Sequence, residues 1–281
     1  MIFLICFISI FLTLRNLLAI TFQSPIHHIE EGQPALVYFQ NGRVAEISKL
    51  PSEDYYQAQK AQNKKYSVKV ELNKLNQIVS IKKVFQQQNK SFLKMQFAPG
   101  DYQKSILSSM DELIEIFKTG RKDFKNESQC FNRAHIWAYE WRKNHQIYSS
   151  KAWLFFTQQY IRKYKFEWWF HVAPVISFAD QSRVKDRVMD IKYAHSPLSL
   201  KNWTDLFLRD NADCPVVSKF SDYADFPESG SCFVLKSTMY DYVPLDLEEE
   251  ELSGIPKRKW IETEVKEAYF EAFNQLNERS L

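Results

Sequence analysis

The stretch SQCFNRAHIW, Ser128 to Trp137, places one cysteine directly ahead of what reads as a helix. A thiol there suits nucleophilic chemistry, because the free N–H groups and dipole of a helix N-terminus stabilise a thiolate. Thiolate catalysis also needs an imidazole beside the sulfur and a group to orient that imidazole. His171 stands in EWWFHVAPV, inside a strand-like run where a polar residue is out of pattern, and Asp190 stands in RVMDIKY, at the end of a second short strand. If those strands are neighbours, Asp190 holds His171 in the tautomer that offers its other nitrogen to Cys130. The chain order Cys, His, Asp is compatible with such a triad, which is defined by geometry rather than by order. Each residue also has a purely structural reading: a small buried hydrophobe, a satisfied strand histidine and a turn-capping aspartate.

The other histidines fit less well. His135 lies five residues after Cys130 on the same helix, so the two point to different faces. His195, in AHSP, reads as part of a loop entering a helix. His27 and His28 are adjacent but have no matching carboxylate or cysteine cluster, so neither a metal nor any other cofactor is expected.

The first residues address the compartment. MIFLICFISIFLTL is an uninterrupted apolar run stopped by Arg15. It is short for a membrane span and fits the h-region of a signal peptide, although only the terminal amine supplies positive charge before it. Residues 1–20 are therefore read as a signal peptide cleaved near Ala19, with a retained membrane anchor as the alternative. Either way the remainder sits outside the cytosol, secreted or periplasmic. Of the four cysteines, Cys6 would leave with this segment, and an odd number would remain in an oxidising compartment. Cys214 and Cys232 share a polar, turn-rich stretch with few apolar residues to order it. A disulfide between them is expected, contributing roughly 3 kcal/mol in the chain-entropy model. Cys130 is then the free thiol.

The elements that must position these residues fall into two regions. Residues 34–85 read as β structure: ALVYFQNGRVAEISKL holds two apolar runs around Asn41-Gly42, a strong hairpin signal, and YSVKVELNKLNQIVSIKKV repeats the pattern. PSEDYYQAQKAQNKK between them reads as a helical or irregular connection, and FQQQNKSF as a boundary. Beyond it, Ile106, Met110, Leu113, Ile114 and Phe117 share a helical face with Gly120 as the stop. A second helix runs from Cys130 to about Asn144. SKAWLFFT, FEWWFHVAPVISF and RVMDIKY suit strands, and SLKNWTDLFLR a helix opened by Ser199. The acidic DLEEEEL reads as a solvated loop, and Val265, Ala268, Tyr269, Ala272, Phe273 and Leu276 as one face of a last helix. The fold class is α+β: a nucleophile-bearing helix on a mostly antiparallel sheet, preceded by a small β-rich unit. The domains are 1–20, 21–95 and 96–281.

Composition narrows the function classes. The 281 residues are 45% hydrophobic, which is ample for a folded core, and the net charge of +3 is too small and evenly spread for a nucleic-acid binder. Neither GxGxxG nor GxxxxGK[ST] occurs, so nucleotide chemistry has no support.

Three motifs, in order, resemble those of the bacterial protein glutaminases. CFNRAH resembles that family's C-x-x-R-A-H at Cys130, Arg133, Ala134 and His135; WWFHVAPVI resembles its histidine strand at Trp169, His171, Val172 and Ala173; VMDIKY with its sequel resembles its aspartate strand at Asp190, Pro197 and Trp203. Asp190 departs from the common D-P-[SA] start, being followed by Ile-Lys. The resemblance covers about 96–209 and implies a papain- and transglutaminase-like core. That core removes ammonia from glutamine side chains of proteins or peptides, in an exported enzyme carrying an inhibitory pro-segment, here residues 21–95. Trp168, Trp169 and Trp203 are candidate walls of a substrate cleft, and the protein is expected to be a monomer. A transglutaminase or a cysteine peptidase of the same fold remains open, as does a non-enzymatic envelope interaction module.

Overall fold

A computed structural model of the protein describes residues 20–48, 53–84, 103–221 and 230–273. The signal run, Cys6, the FQQQNKSF boundary and Leu276 lie outside the described residues. The chain divides into two compact units, residues 1–91 and 92–281.

In the first unit, β1 (Ile20–Glu30), β2 (Ala35–Phe39), β3 (Val44–Ile47), α1 (Glu53–Lys64), β4 (Ser67–Leu72) and β5 (Ile78–Lys83) follow in order. The strands form an antiparallel sheet in the order β3-β2-β1-β4-β5. The hairpin around Asn41-Gly42 and the β4–β5 pair are the two expected from alternation. Val68, Val70 and Leu72 point inward, where Ala58 and Ala61 of α1 pack on them. The central strand β1 was not expected. Its first half pairs with β4 and its second with β2, with a register shift between Ile26 and His28. Pro25 stands where the partner changes, and the shift breaks the period of two that alternation relies on.

The second unit contains β6 (Ile106–Leu107), α2 (Met110–Thr119), α3 (Cys130–His145), β7 (Ser150–Phe156), α4 (Gln158–Tyr164), β8 (Phe170–Asp180), β9 (Arg183–Val188), α5 (Leu200–Asp205), β10 (Val216–Val217), β11 (Cys232–Thr238), α6 (Pro244–Ser253) and α7 (Glu262–Phe273). Its sheet runs β10-β11-β7-β8-β6, with β9 also paired to β8. The long pairings, β11–β7, β7–β8 and β8–β9, are antiparallel; only the two-residue strands β6 and β10 pair in parallel. Helix α3 packs on β8 and against α7. Its first nine residues, Cys130 to Ala138, are all buried, which is why its N-terminal half shows no amphipathic stripe.

Two expectations are corrected. Ile106 lies in β6, not on the first helix, because Ser109 caps α2 by accepting from the Glu112 N–H at 3.2 Å while Glu112 reaches back to the Ser108 N–H at 2.7 Å. DLEEEEL is not a solvated loop but most of α6. Pro244 begins that helix, the Asp246 carboxylate accepts from the Val243 N–H at 3.1 Å, Leu247 is buried, and Gly254 ends it at φ 65°.

Candidate active site

Cys130 is the first residue of α3. The preceding Gln129 makes no side-chain cap, and the first turn holds no acidic residue. The early N–H groups and the positive end of the helix dipole are thus left for the thiol, which is 7% exposed. His171 is the second residue of β8. The antiparallel register pairs Val188 with Val175, and the Met189 N–H donates to the Pro174 carbonyl at 2.8 Å. That register carries Asp190, just past β9, back along β8 toward His171. A tight turn follows, in which the Asp190 carbonyl accepts from the N–H groups of Tyr193 (3.2 Å) and Ala194 (2.9 Å), so the Ile-Lys departure from the common motif still closes a turn.

The three side chains meet. His171 Nε2 lies 2.7 Å from Asp190 Oδ2, and the imidazole also hydrogen-bonds the Cys130 thiol, leaving Nδ1 for the sulfur. The Trp203 indole N–H donates to the same Asp190 oxygen at 2.9 Å. Asp190 is therefore fixed by two donors in a site where it is 1% exposed.

The electrostatics follow from this packing. Burial pushes the Cys130 thiol up, but the hydrogen bond and charge of His171, the Arg133 guanidinium and the Val172 N–H together hold it below its ordinary value. Burial pulls His171 down, but the Asp190 carboxylate and the Cys130 sulfur raise it to about 9. Both shifts favour the thiolate and imidazolium form of the pair, the form in which sulfur attacks a carbonyl carbon and the imidazolium protonates a leaving group.

Of the three tryptophans read as cleft walls, Trp169 and Trp203 are 0% exposed. Trp169 packs against Phe155 and Phe170 in the core, and Trp203 turns its indole N–H to Asp190. Trp168 is half-buried. His135 faces away from Cys130, with Nδ1 3.0 Å from Lys151 Nζ, and His195 is exposed. Cys214 and Cys232 form a disulfide, tying the start of β11 to the segment before β10. Cys130 is the free cysteine among the described residues. No group of three or more His, Cys, Asp or Glu placed to hold a metal ion occurs among those residues.

Residues that sequence reasoning missed surround the imidazole. The Phe207 ring lies 4.2 Å from it, centroid to centroid, and Tyr193 meets it edge-on at 5.3 Å. Phe207 follows Trp203 by four, a spacing that puts both on one side of the α5 turn; Tyr193 offers no such signal.

A cysteine at a helix N-terminus, paired with a strand histidine and aspartate on a mostly antiparallel sheet, defines the papain- and transglutaminase-like class of α+β fold. Within that class, residues 110–207, which carry all three side chains, match the model of a family described as glutaminase. Two solved structures are similar over most of the chain. Pro-protein-glutaminase shares 15% identity at a TM-score of 0.51, over 80% of this chain and 84% of that one. A mutant of pro-protein-glutaminase shares 14% at 0.52, over 79% and 83%. At such identity the likeness is one of fold. A comparison with curated proteins returns no match.

Proposed function

We propose that this protein is an exported protein glutaminase, which hydrolyses glutamine side-chain amides in proteins to glutamate and ammonia. The observation that carries the reading is the hydrogen-bonded series of thiol, imidazole and carboxylate inside the segment that matches the glutaminase family.

The Cys130 thiolate attacks the side-chain amide carbon, and the N–H groups at the start of α3 hold the resulting oxyanion. His171 gives its proton to the amide nitrogen; the C–N bond breaks and ammonia leaves, with a thioester on Cys130. The neutral imidazole then takes a proton from water, hydroxide adds to the thioester, and glutamate departs as the thiolate and imidazolium are restored. Asp190 stabilises the imidazolium in both halves of the cycle.

Export is supported by the apolar run at residues 1–14 and by the Cys214–Cys232 disulfide, which an oxidising compartment preserves. Among the described residues no helix is long and apolar enough to cross a membrane. The first unit acts as an inhibitory pro-segment. In support, both solved structures are of a pro-protein, and each alignment spans a larger share of this chain than the second unit supplies.

The test is ammonia release from a glutamine-rich protein, with and without limited proteolysis, beside Cys130→Ala. Cys130-dependent ammonia with no added amine and no cleaved chains is the expected result. An increase after proteolysis identifies the pro-segment. Ammonia released only when an amine is supplied, with that amine incorporated into the substrate, or cleaved backbone, overturns the reading.

A further inference from the structure

The mechanism above leaves one buried cation of the site unused. Arg133 lies one turn after Cys130, on the same side of α3, and is 3% exposed. A buried guanidinium ordinarily rests against a carboxylate, because an unpaired charge away from water is costly. Among the described residues no Asp or Glu forms an ion pair with Arg133. Its Nη1 donates to the Ser128 carbonyl and, at 3.2 Å, lies within reach of Ser128 Oγ. Its guanidinium carbon sits 5.8 Å from the centre of the Tyr193 ring, and the two side chains also hydrogen-bond. Its Nε is buried without a partner. All these neighbours are neutral, and the anion that Arg133 does act on is the Cys130 sulfur.

We infer that Arg133 is a positioning residue for the nucleophile: a permanent cation, tethered by Ser128 and roofed by Tyr193, that joins His171 in favouring the Cys130 thiolate. The inference rests on Cys130 being the nucleophile of the proposed reaction. Its chemical logic is that the sulfur is an anion both before it attacks and as it departs from the thioester, and a cation that never titrates favours it at both points. A guanidinium keeps its proton at every working pH. The groups that face the sulfur are His171 from β8, Arg133 from its own helix and Tyr193 from the turn after β9, with Asp190 acting through His171.

The experiment is a pH titration of thiolate absorbance in the ultraviolet on the full chain, taken as the difference from a Cys130→Ser variant. Arg133→Gln is expected to move the midpoint of thiolate formation upward by about one pH unit. Arg133→Lys, which keeps the charge and loses the fork, moves it less. Equal midpoints for wild type and Arg133→Gln overturn the inference, as do equal displacements by the Gln and Lys variants. Should Arg133→Gln fail to fold, Arg133→Met decides, since it keeps an unbranched stem in place and removes only the charge. It must shift the midpoint the same way; an unmoved midpoint overturns the inference. Ammonia release is measured on the same samples. A shifted midpoint in a protein that releases no ammonia sinks the glutaminase reading and leaves the role of Arg133 standing.

Discussion

Helix α3 touches two buried clusters of ionisable groups, and they respond to burial in opposite ways. At its first turn, opposite charges in hydrogen-bond contact prevail: Cys130 is held below its ordinary value and His171 is raised to about 9. One and a half turns on, burial prevails. Removal from water and the nearby Lys151 hold His135 well below its ordinary range, and burial brings Lys151 down to about 7. Asp241 and Glu250, whose carboxyls act on each other, are both raised by burial, Glu250 to about 8. The clusters do not differ in depth, since Asp190, Lys151 and Asp241 are all within 1% of full burial. They differ in who faces whom. Cys130 and His171 each have an opposite partner in hydrogen-bond contact, whereas Lys151 Nζ lies against His135 and a backbone carbonyl, and the attraction of Asp241, Asp246 and Glu264 does not offset its burial. An opposite partner in direct contact keeps a group charged; without one, the same depth leaves it neutral.

The comparison breaks most visibly if Asp190 is made uncharged. Asp190→Asn preserves shape but removes the charge that lifts His171. The rate kcat/KM for ammonia release is expected to fall about a thousandfold. The pH profile sharpens the point. In the wild type, activity rises as Cys130 ionises and falls as His171 loses its proton, so the alkaline limb lies near 9. In Asp190→Asn that limb moves to lower pH. An unmoved limb means that the carboxylate is not what sustains the imidazolium.

Trp203→Phe probes the same carboxylate more gently. It removes the indole N–H that reaches Asp190 Oδ2 at 2.9 Å and leaves the ring volume largely in place. The cost of one hydrogen bond to a charged group predicts a loss of about tenfold in kcat, with little change in KM. A raised KM at constant kcat instead returns Trp203 to the substrate-binding role that its sequence context suggested.

How far these clusters were legible in the sequence follows from what each depends on. His171 stood out as a polar residue out of pattern in its strand, Cys130 as the unpaired thiol opening a helix and Asp190 by its place at a strand end, and three local motifs in order tied them together. Ser199 as a helix opener and the hairpin at Asn41-Gly42 are likewise local, and both are present. The second cluster was invisible because its contacts come from distant elements: Lys151 on β7, His135 on α3 and Asp241 before α6. The misreading of DLEEEEL has the same root. Its glutamates count as solvated by type, yet Glu250 turns inward to Asp241, and the flanking Pro244 and Gly254 were the local signs that a helix stood there. Strand β1 escaped because Pro25 and the register shift interrupt its alternation. Tyr193 and Phe207 gained their places beside His171 only through the turn after β9 and the end of α5.

The smallest expected effect tests the second cluster by itself. Glu250 keeps its proton to about 8 in the folded protein, against an ordinary value of 4.5, because burial and Asp241 disfavour its charge. A carboxyl whose folded value is raised contributes its full share of stability below the ordinary value, and that share is lost as pH climbs toward 8. Glu250→Gln keeps the shape and the hydrogen-bonding capacity but has nothing to ionise. The melting temperatures of wild type and variant should therefore agree at about pH 5 and diverge by several degrees at about pH 9, with the variant the more stable. Lys151 imposes its own slope in the opposite sense, since its depressed value makes stability rise with pH between about 7 and its ordinary 10.5, but that slope is common to both proteins and cancels in their difference. Ammonia release should be unchanged, because Glu250 is not among the groups that face Cys130. Parallel melting curves across this range would mean that Glu250 is already ionised in the fold, and the contrast between a cluster kept charged and a cluster kept neutral would fail on its second half.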